Sequence, residues 1–151
     1  MRDYAKQFGF SDILDFQLNG GEKLKQADSL VDTKIENLGK TSLDENIIID
    51  SRLAWHFIPK SFKVFIDVSW EVGAKRLKSA ERETEKAETL AKAMQKLKSR
   101  WATENERYSK LYNTNNLDKS HYDFVISSSN KTPHEIADAI MKKYQKFILK
   151  K

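Results

Sequence analysis

The sequence predicts an α/β domain in which helices flank a mainly parallel sheet. Three observations carry that prediction. At residues 46–55 three β-branched residues, Ile47, Ile48 and Ile49, run without polar alternation into Asp50, Ser51 and Arg52, the pattern of a strand covered on both faces. Two further apolar runs of strand length follow at 62–68 and 122–126. Between the runs lie stretches of helical periodicity, and strands alternating with helices point to wound α/β architecture.

Taken in order, residues 1–8 read as the end of a helix stopped by Gly9, and Ser11 as the N-cap of a short helix carrying Ile13, Leu14 and Phe16. Gly20 and Gly21 break the chain. Leu24, Ala27, Val31, Ile35 and Leu38 recur every three or four residues, so 22–38 reads as an amphipathic helix closed by Gly39. After the 46–55 stretch, the apolar residues 53–58 end at Pro59. A second strand is predicted at 62–68, with Ser69 capping the helix that runs through Val72 and Leu77. Residues 84–112 form one long helical pattern with a stripe of Ala87, Leu90, Ala91, Met94, Leu97, Trp101, Tyr108 and Leu111, its other faces heavily charged. The third strand is 122–126, followed by a Ser-rich loop. Thr132, Pro133 and Glu135 make a helix start, with capping-box spacing and proline at the first helical position. That last helix is predicted to bury Ile136, Ala137, Ile140, Tyr144 and one of Phe147 and Ile148.

At 151 residues the chain reads as a single domain, 1–151, long enough to bury roughly 68–70% of its unfolded surface and to fold without staples. Within it, 1–45 reads as a helical lobe, 46–83 as core strands and a following helix, 84–113 as the long helix, and 122–151 as the last strand and helix. The chain has no cysteine, which closes disulfides, thiolate metal sites and thiol chemistry and suits a reducing cytoplasm. No run of 18 apolar residues exists, so no membrane helix is expected. A net charge of +5 favours anionic partners.

Gly39, Lys40 and Thr41 imitate the end of a phosphate loop. Such a loop needs a glycine five positions earlier, where Lys34 stands, and it follows a strand, whereas here a helix precedes it. The three histidines, His56, His121 and His134, lack metal-ligand spacing. The arginines are more informative. Arg52 stands at the predicted carboxyl end of a strand, where ligands of parallel sheets sit. Beside Asp50 it reads either as a capping ion pair or as half of a site for a metal and a phosphate. Arg82 lies in the charged connection before the long helix. Arg100 and Arg107 are seven residues apart on it, about two turns, and so share a face.

The order of these segments resembles the cytidylate kinase-like nucleoside monophosphate kinases of the P-loop kinase superfamily, especially their short archaeal-type branch. Residues 47–55 (IIIDSRLAW) resemble that family's strand ending in acid-Gly-Arg-Leu-Ala, and 62–77 (FKVFIDVSWEVGAKRL) its next strand and the helix leading to the lid. Residues 100–113 (RWATENERYSKLYN) resemble its arginine-rich helix, 122–133 (YDFVISSSNKTP) its last strand and helix start, and 1–9 (MRDYAKQFG) the helix after its first two strands. The resemblance implies ATP-dependent phosphorylation of CMP or dCMP with magnesium. Carried over by position, Arg2 and Arg52 would hold the acceptor phosphate and Asp50 would face the magnesium shell. Arg82 would be the lid arginine, and Arg100 and Arg107 would neutralise transferring or acceptor phosphate. Nucleic acid and membrane are not expected as partners.

The departures carry expectations of their own. The family's first strand, Gly-rich phosphate loop and second strand have no counterpart in these residues, and with them go the lysine and amides that cradle ATP. Met1 then stands where an internal methionine would. Little or no kinase activity is expected of the 151 residues alone, with a non-catalytic nucleotide- or nucleic-acid-binding module as the alternative. Ser51 replaces a family glycine, and Asn113 another. The missing first strand would lie between the matches of 47–50 and 62–68, so those two segments either close up or leave a slot.

Overall fold

The computed structural model describes residues 1–11, 13–41, 47–79 and 89–150, with backbone only for Arg2 and Leu14. Seven helices and two strands are described: α1 (Arg2–Gln7), α2 (Ile13–Asn19), α3 (Gly21–Thr41), α4 (Ala54–Phe57), β1 (Val64–Asp67), α5 (Trp70–Ser79), α6 (Leu90–Tyr112), β2 (Phe124–Ser127) and α7 (Pro133–Ile148). A single 3-10 turn, Lys119–His121, precedes β2.

β1 and β2 pair in parallel, Val64 opposite Phe124 through Asp67 opposite Ser127. Parallel neighbours need a long crossover, and here α5 and α6 supply it. The pairing is closed at one end by Asp123 and Phe124 donating to the Lys63 carbonyl and at the other by Ser128 N donating to the Asp67 carbonyl at 2.7 Å. Arg76 of α5 clamps the same end through Ser128, its Nη2 donating to the carbonyl at 2.6 Å. The α/β class therefore holds, as a mostly helical protein around a two-stranded parallel sheet.

The expected central strand is not there. Among the described residues 47–50 have no regular structure, and Ile48 is fully exposed rather than covered on both faces. A β-branched run becomes a strand only where a neighbour takes its N–H and C=O groups, and the described sheet contains only β1 and β2. The segment has not closed up on β1.

The predicted glycine stop of α3 also fails, for a packing reason. The helix runs through Gly39 to Thr41, and a Cβ on Gly39 would stand 2.8 Å from Ile58 Cγ1. Glycine is there to let Ile58, just past α4, reach the helix backbone. Gly39, Lys40 and Thr41 thus form the last turn of α3 rather than its terminator. α1 ends before Gly9, which takes φ +86, the left-handed geometry glycine tolerates. The Ser69 cap of α5 is present, with Val72 N donating to its hydroxyl at 3.4 Å. The Thr132 capping box, with Pro133 in the first turn, is complete. α7 leans its Tyr144 and Phe147 rings on Phe62 at 5.8 and 5.1 Å. No residue of α7 is fully buried, and Ala137, expected inside, is exposed. α6 starts at Leu90 behind a Thr89 cap; its predicted beginning at 84–88 lies outside the described residues.

The principal core lies in the helical lobe, where Ala5, Phe16, Leu24 and Ala27 pack together under Tyr4, Phe8 and Phe10. Among the described residues no helix is long and apolar enough to cross a membrane.

Candidate functional site

The largest fully buried side chains are Phe16 and Glu104. A carboxylate in that position demands partners, because burying an unpaired charge costs far more than burying a neutral group. It has three. Gln17 Nε2 of α2 donates to Oε1 at 2.8 Å, Arg100 Nε donates to Oε1 at 3.2 Å, and Arg52 Nη1 stands 2.9 Å from Oε2. Two guanidinium groups from distant parts of the chain thus meet on one anion.

Each is placed by its local structure. Arg100, Glu104, Arg107 and Tyr108 recur at intervals of four, three and one, which puts them on one face of α6. Arg52 comes from the turn after the exposed isoleucines. Ser51 Oγ accepts from Leu53 N, the Trp55 indole donates to the Arg52 carbonyl at 3.1 Å, and Leu53 is buried. The Arg52 guanidinium also lies over the Trp101 ring, 5.8 Å from its centroid. Its side chain remains 36% exposed while Glu104 is 2% exposed, so Arg52 faces outward from an internal anchor. Two cations on one anion leave a local excess of one positive charge, suited to an incoming phosphate.

Two turns along α6 from Arg100, Arg107 Nε lies 3.4 Å from Asp28 Oδ2 of α3, and its Nη2 donates to the Tyr108 hydroxyl. Burial pushes the Asp28 carboxyl up to about 6, with Arg107 pulling against the rise. Another helical turn on, the Tyr112 hydroxyl donates to Asp32. Burial also raises the Asp32 carboxyl, and burial together with that carboxylate raises the Tyr112 phenol. The face of α6 toward α2 and α3 is therefore a line of paired charges rather than a solvated one.

Of the residues singled out from sequence, Arg52 and Arg100 are brought together on Glu104. Arg107 shares their helix face but pairs with a different carboxylate. Asp50 is exposed in the irregular segment and has no ion pair or hydrogen bond among the described residues. Arg2 opens α1, with its side chain undescribed, and Arg82 lies outside the described residues. Among the described residues no group of three or more His, Asp or Glu could hold a metal by itself. Asp50 offers one exposed carboxylate, so a magnesium ion there would have to take most of its ligands from water and substrate. Sequence reasoning missed Glu104, Gln17, Asp28 and Asp32. Glu104 had a signal, because it stands four residues after Arg100 and three before Arg107, on the face those two define.

A profile of the cytidylate kinase-like family matches residues 3–130. The cytidylate kinases of Methanococcoides burtonii and Methanocaldococcus jannaschii are each 30% identical, over 80% and 85% of this chain and 67% and 69% of theirs. An S-adenosylmethionine-dependent nucleotide dehydratase of Lacinutrix mariniflava is also 30% identical, over 95% of this chain but only 29% of that protein. The chain thus spans under a third of the dehydratase and about two thirds of these kinases. No solved structure matches significantly. With a matched region covering most of its length, the chain belongs to the cytidylate kinase-like family.

Proposed function

We propose that this chain holds the acceptor nucleotide, CMP or dCMP, for phosphoryl transfer from ATP with magnesium. The observation that carries the reading is the convergence of Arg52 and Arg100 on Glu104. Phosphoryl transfer needs little covalent chemistry from the protein. It needs groups that position the phosphates and offset their charge. Glu104 orients both guanidinium groups, and Arg52, the more exposed of the two, presents N–H groups to the acceptor phosphate. Arg2 is proposed as a second acceptor-phosphate ligand. Arg82, Arg100 and Arg107 are proposed to offset charge on the phosphates, and Asp50 to face the magnesium that ATP brings. The similarity to part of a nucleotide dehydratase supports the same substrate class, a nucleotide, without bearing on the reaction.

The donor side is different. The 151 residues contain no Gly-x-x-x-x-Gly-Lys-Ser/Thr stretch, so nothing here would cradle the ATP phosphates with loop amides. The purified 151-residue chain is expected to bind CMP, to bind ATP weakly, and to form CDP far more slowly than the roughly 1–100 per second usual for kinases. Calorimetry with each nucleotide and a coupled assay for ADP test both halves. CDP formation at ordinary rates would overturn the expectation of inactivity, and absence of CMP binding would overturn the acceptor reading.

A further inference from the structure

Arg52 meets two side chains of α6. One is Glu104, whose Oε2 stands 2.9 Å from Nη1 but accepts no hydrogen bond among the described residues. Charge draws the guanidinium close, and without a directional bond it leaves the plane of the group unfixed. The other is Trp101, three residues before Glu104 and so on the same side of the helix. The Arg52 guanidinium lies over its ring, with Cζ 5.8 Å from the centroid. Guanidinium groups stack on aromatic faces and are attracted by the electron density there. The ring is braced in turn. Phe65 of β1 and Trp70, the first residue of α5, meet it at 6.4 and 5.6 Å, with planes 77° and 76° apart. Packing against those two rings accounts for an apolar residue at 101. The cation over the indole is a further contact, one that a leucine there does not make.

We propose that Trp101 is a positioning residue for phosphate binding: Glu104 sets where the Arg52 guanidinium lies, Trp101 sets its plane, and the N–H groups turned away from Glu104 meet the acceptor phosphate already oriented. The proposal rests on the acceptor-nucleotide reading above. Ordering a long side chain at the moment of binding costs affinity, and a side chain held beforehand in its bound conformation avoids that loss. Arg52 needs such a hold, because it is 36% exposed and its ion pair alone does not supply one. The effect belongs to the ring face rather than to bulk. Phenylalanine at 101 keeps a face, although a smaller one, whereas leucine keeps only apolar volume.

The test is calorimetric titration of CMP into the full 151-residue chain and four variants: Trp101→Leu, Trp101→Phe, Arg52→Ala, and Arg52→Ala with Trp101→Leu. Trp101→Leu is expected to weaken CMP binding by about threefold to tenfold, the range of a cation–π contact partly shielded from water. Trp101→Phe is expected to recover most of that loss. In the Arg52→Ala background Trp101→Leu is expected to cost no further affinity, because the side chain it acts through is gone. Circular dichroism checks folding, and Trp101→Met, whose unbranched chain adapts to irregular gaps, serves if the leucine variant does not fold. Unchanged CMP affinity in Trp101→Leu overturns the proposal. So does an equal loss with phenylalanine and leucine, or the same loss with and without Arg52, since both are marks of packing alone. If Arg52→Ala abolishes binding altogether, the comparison of phenylalanine with leucine decides. If Arg52→Ala weakens CMP binding and Trp101→Leu does not, the positioning role fails while the acceptor reading stands. If Arg52→Ala changes nothing, both fail.

Discussion

Arg52 and Glu104, 52 positions apart in the sequence, meet with Nη1 2.9 Å from Oε2. The glutamate is inside and the arginine reaches outward from it. An anchor of this kind fixes a cation at the surface without neutralising all of its donors.

Glu104 should matter to stability as well as to binding. Glu104→Ala strips the anion from Arg52, Arg100 and Gln17 at once. Removing one partner of a buried pair costs about 3–5 kcal/mol. With Arg52 and Arg100 36% and 17% exposed, water takes up part of that loss, and a cost of about 2 kcal/mol is expected. Urea unfolding should show a lower midpoint with little change in slope.

The Asp28 carboxyl gives stability a defined pH dependence. Its pKa is raised from 3.8 to about 6 in the folded protein by burial, so the folded state binds that proton more tightly than the unfolded chain does. The contribution is fully present below about pH 4 and is lost as pH rises through about 6. One pKa unit is about 1.4 kcal/mol, and with allowance for screening by solvent the loss is about 2 kcal/mol. Asp32, raised in the same direction, adds to the same window. Asp28→Asn should flatten the curve between pH 4 and 7, so that the variant gains on the wild type as pH rises. Parallel curves in urea melts across that range would contradict this.

Gly39→Ala tests the close approach to Ile58. In an exposed helix the change should stabilise by about 1 kcal/mol. Here the new methyl would meet Ile58 Cγ1 at 2.8 Å and both Cδ1 and Cγ2 at 3.2 Å, and overpacking typically costs about 1–3 kcal/mol. The single variant is expected to melt at lower temperature, and adding Ile58→Ala should recover part of the loss.

What could be read from the sequence divides along a physical line. Signals settled within a few residues were legible: the Thr132 capping box, the Ser69 cap, the stop at Gly9, and the apolar runs that became β1 and β2. Residues 47–50 were misread because a strand is a property of two segments, and β-branched composition says nothing about whether a neighbour is present. Gly39 was misread because a glycine that ends a helix and one that admits a neighbouring side chain look alike in sequence. At the candidate site Arg52 and Arg100 were legible as cations on suitable elements. Their meeting point was not, because a glutamate on a charged helix reads as solvated until Gln17 and Arg52 arrive from elsewhere to bury it.

The most direct test of the central claim, that Arg52 held on Glu104 is the acceptor-phosphate ligand, is calorimetric titration of CMP into the wild-type chain and into Arg52→Ala. A lost charge-assisted contact is worth about 1.5–3 kcal/mol, so affinity should fall by roughly tenfold or more in the variant while its far-ultraviolet circular dichroism stays unchanged. Equal CMP affinity in the two folded proteins would contradict the account.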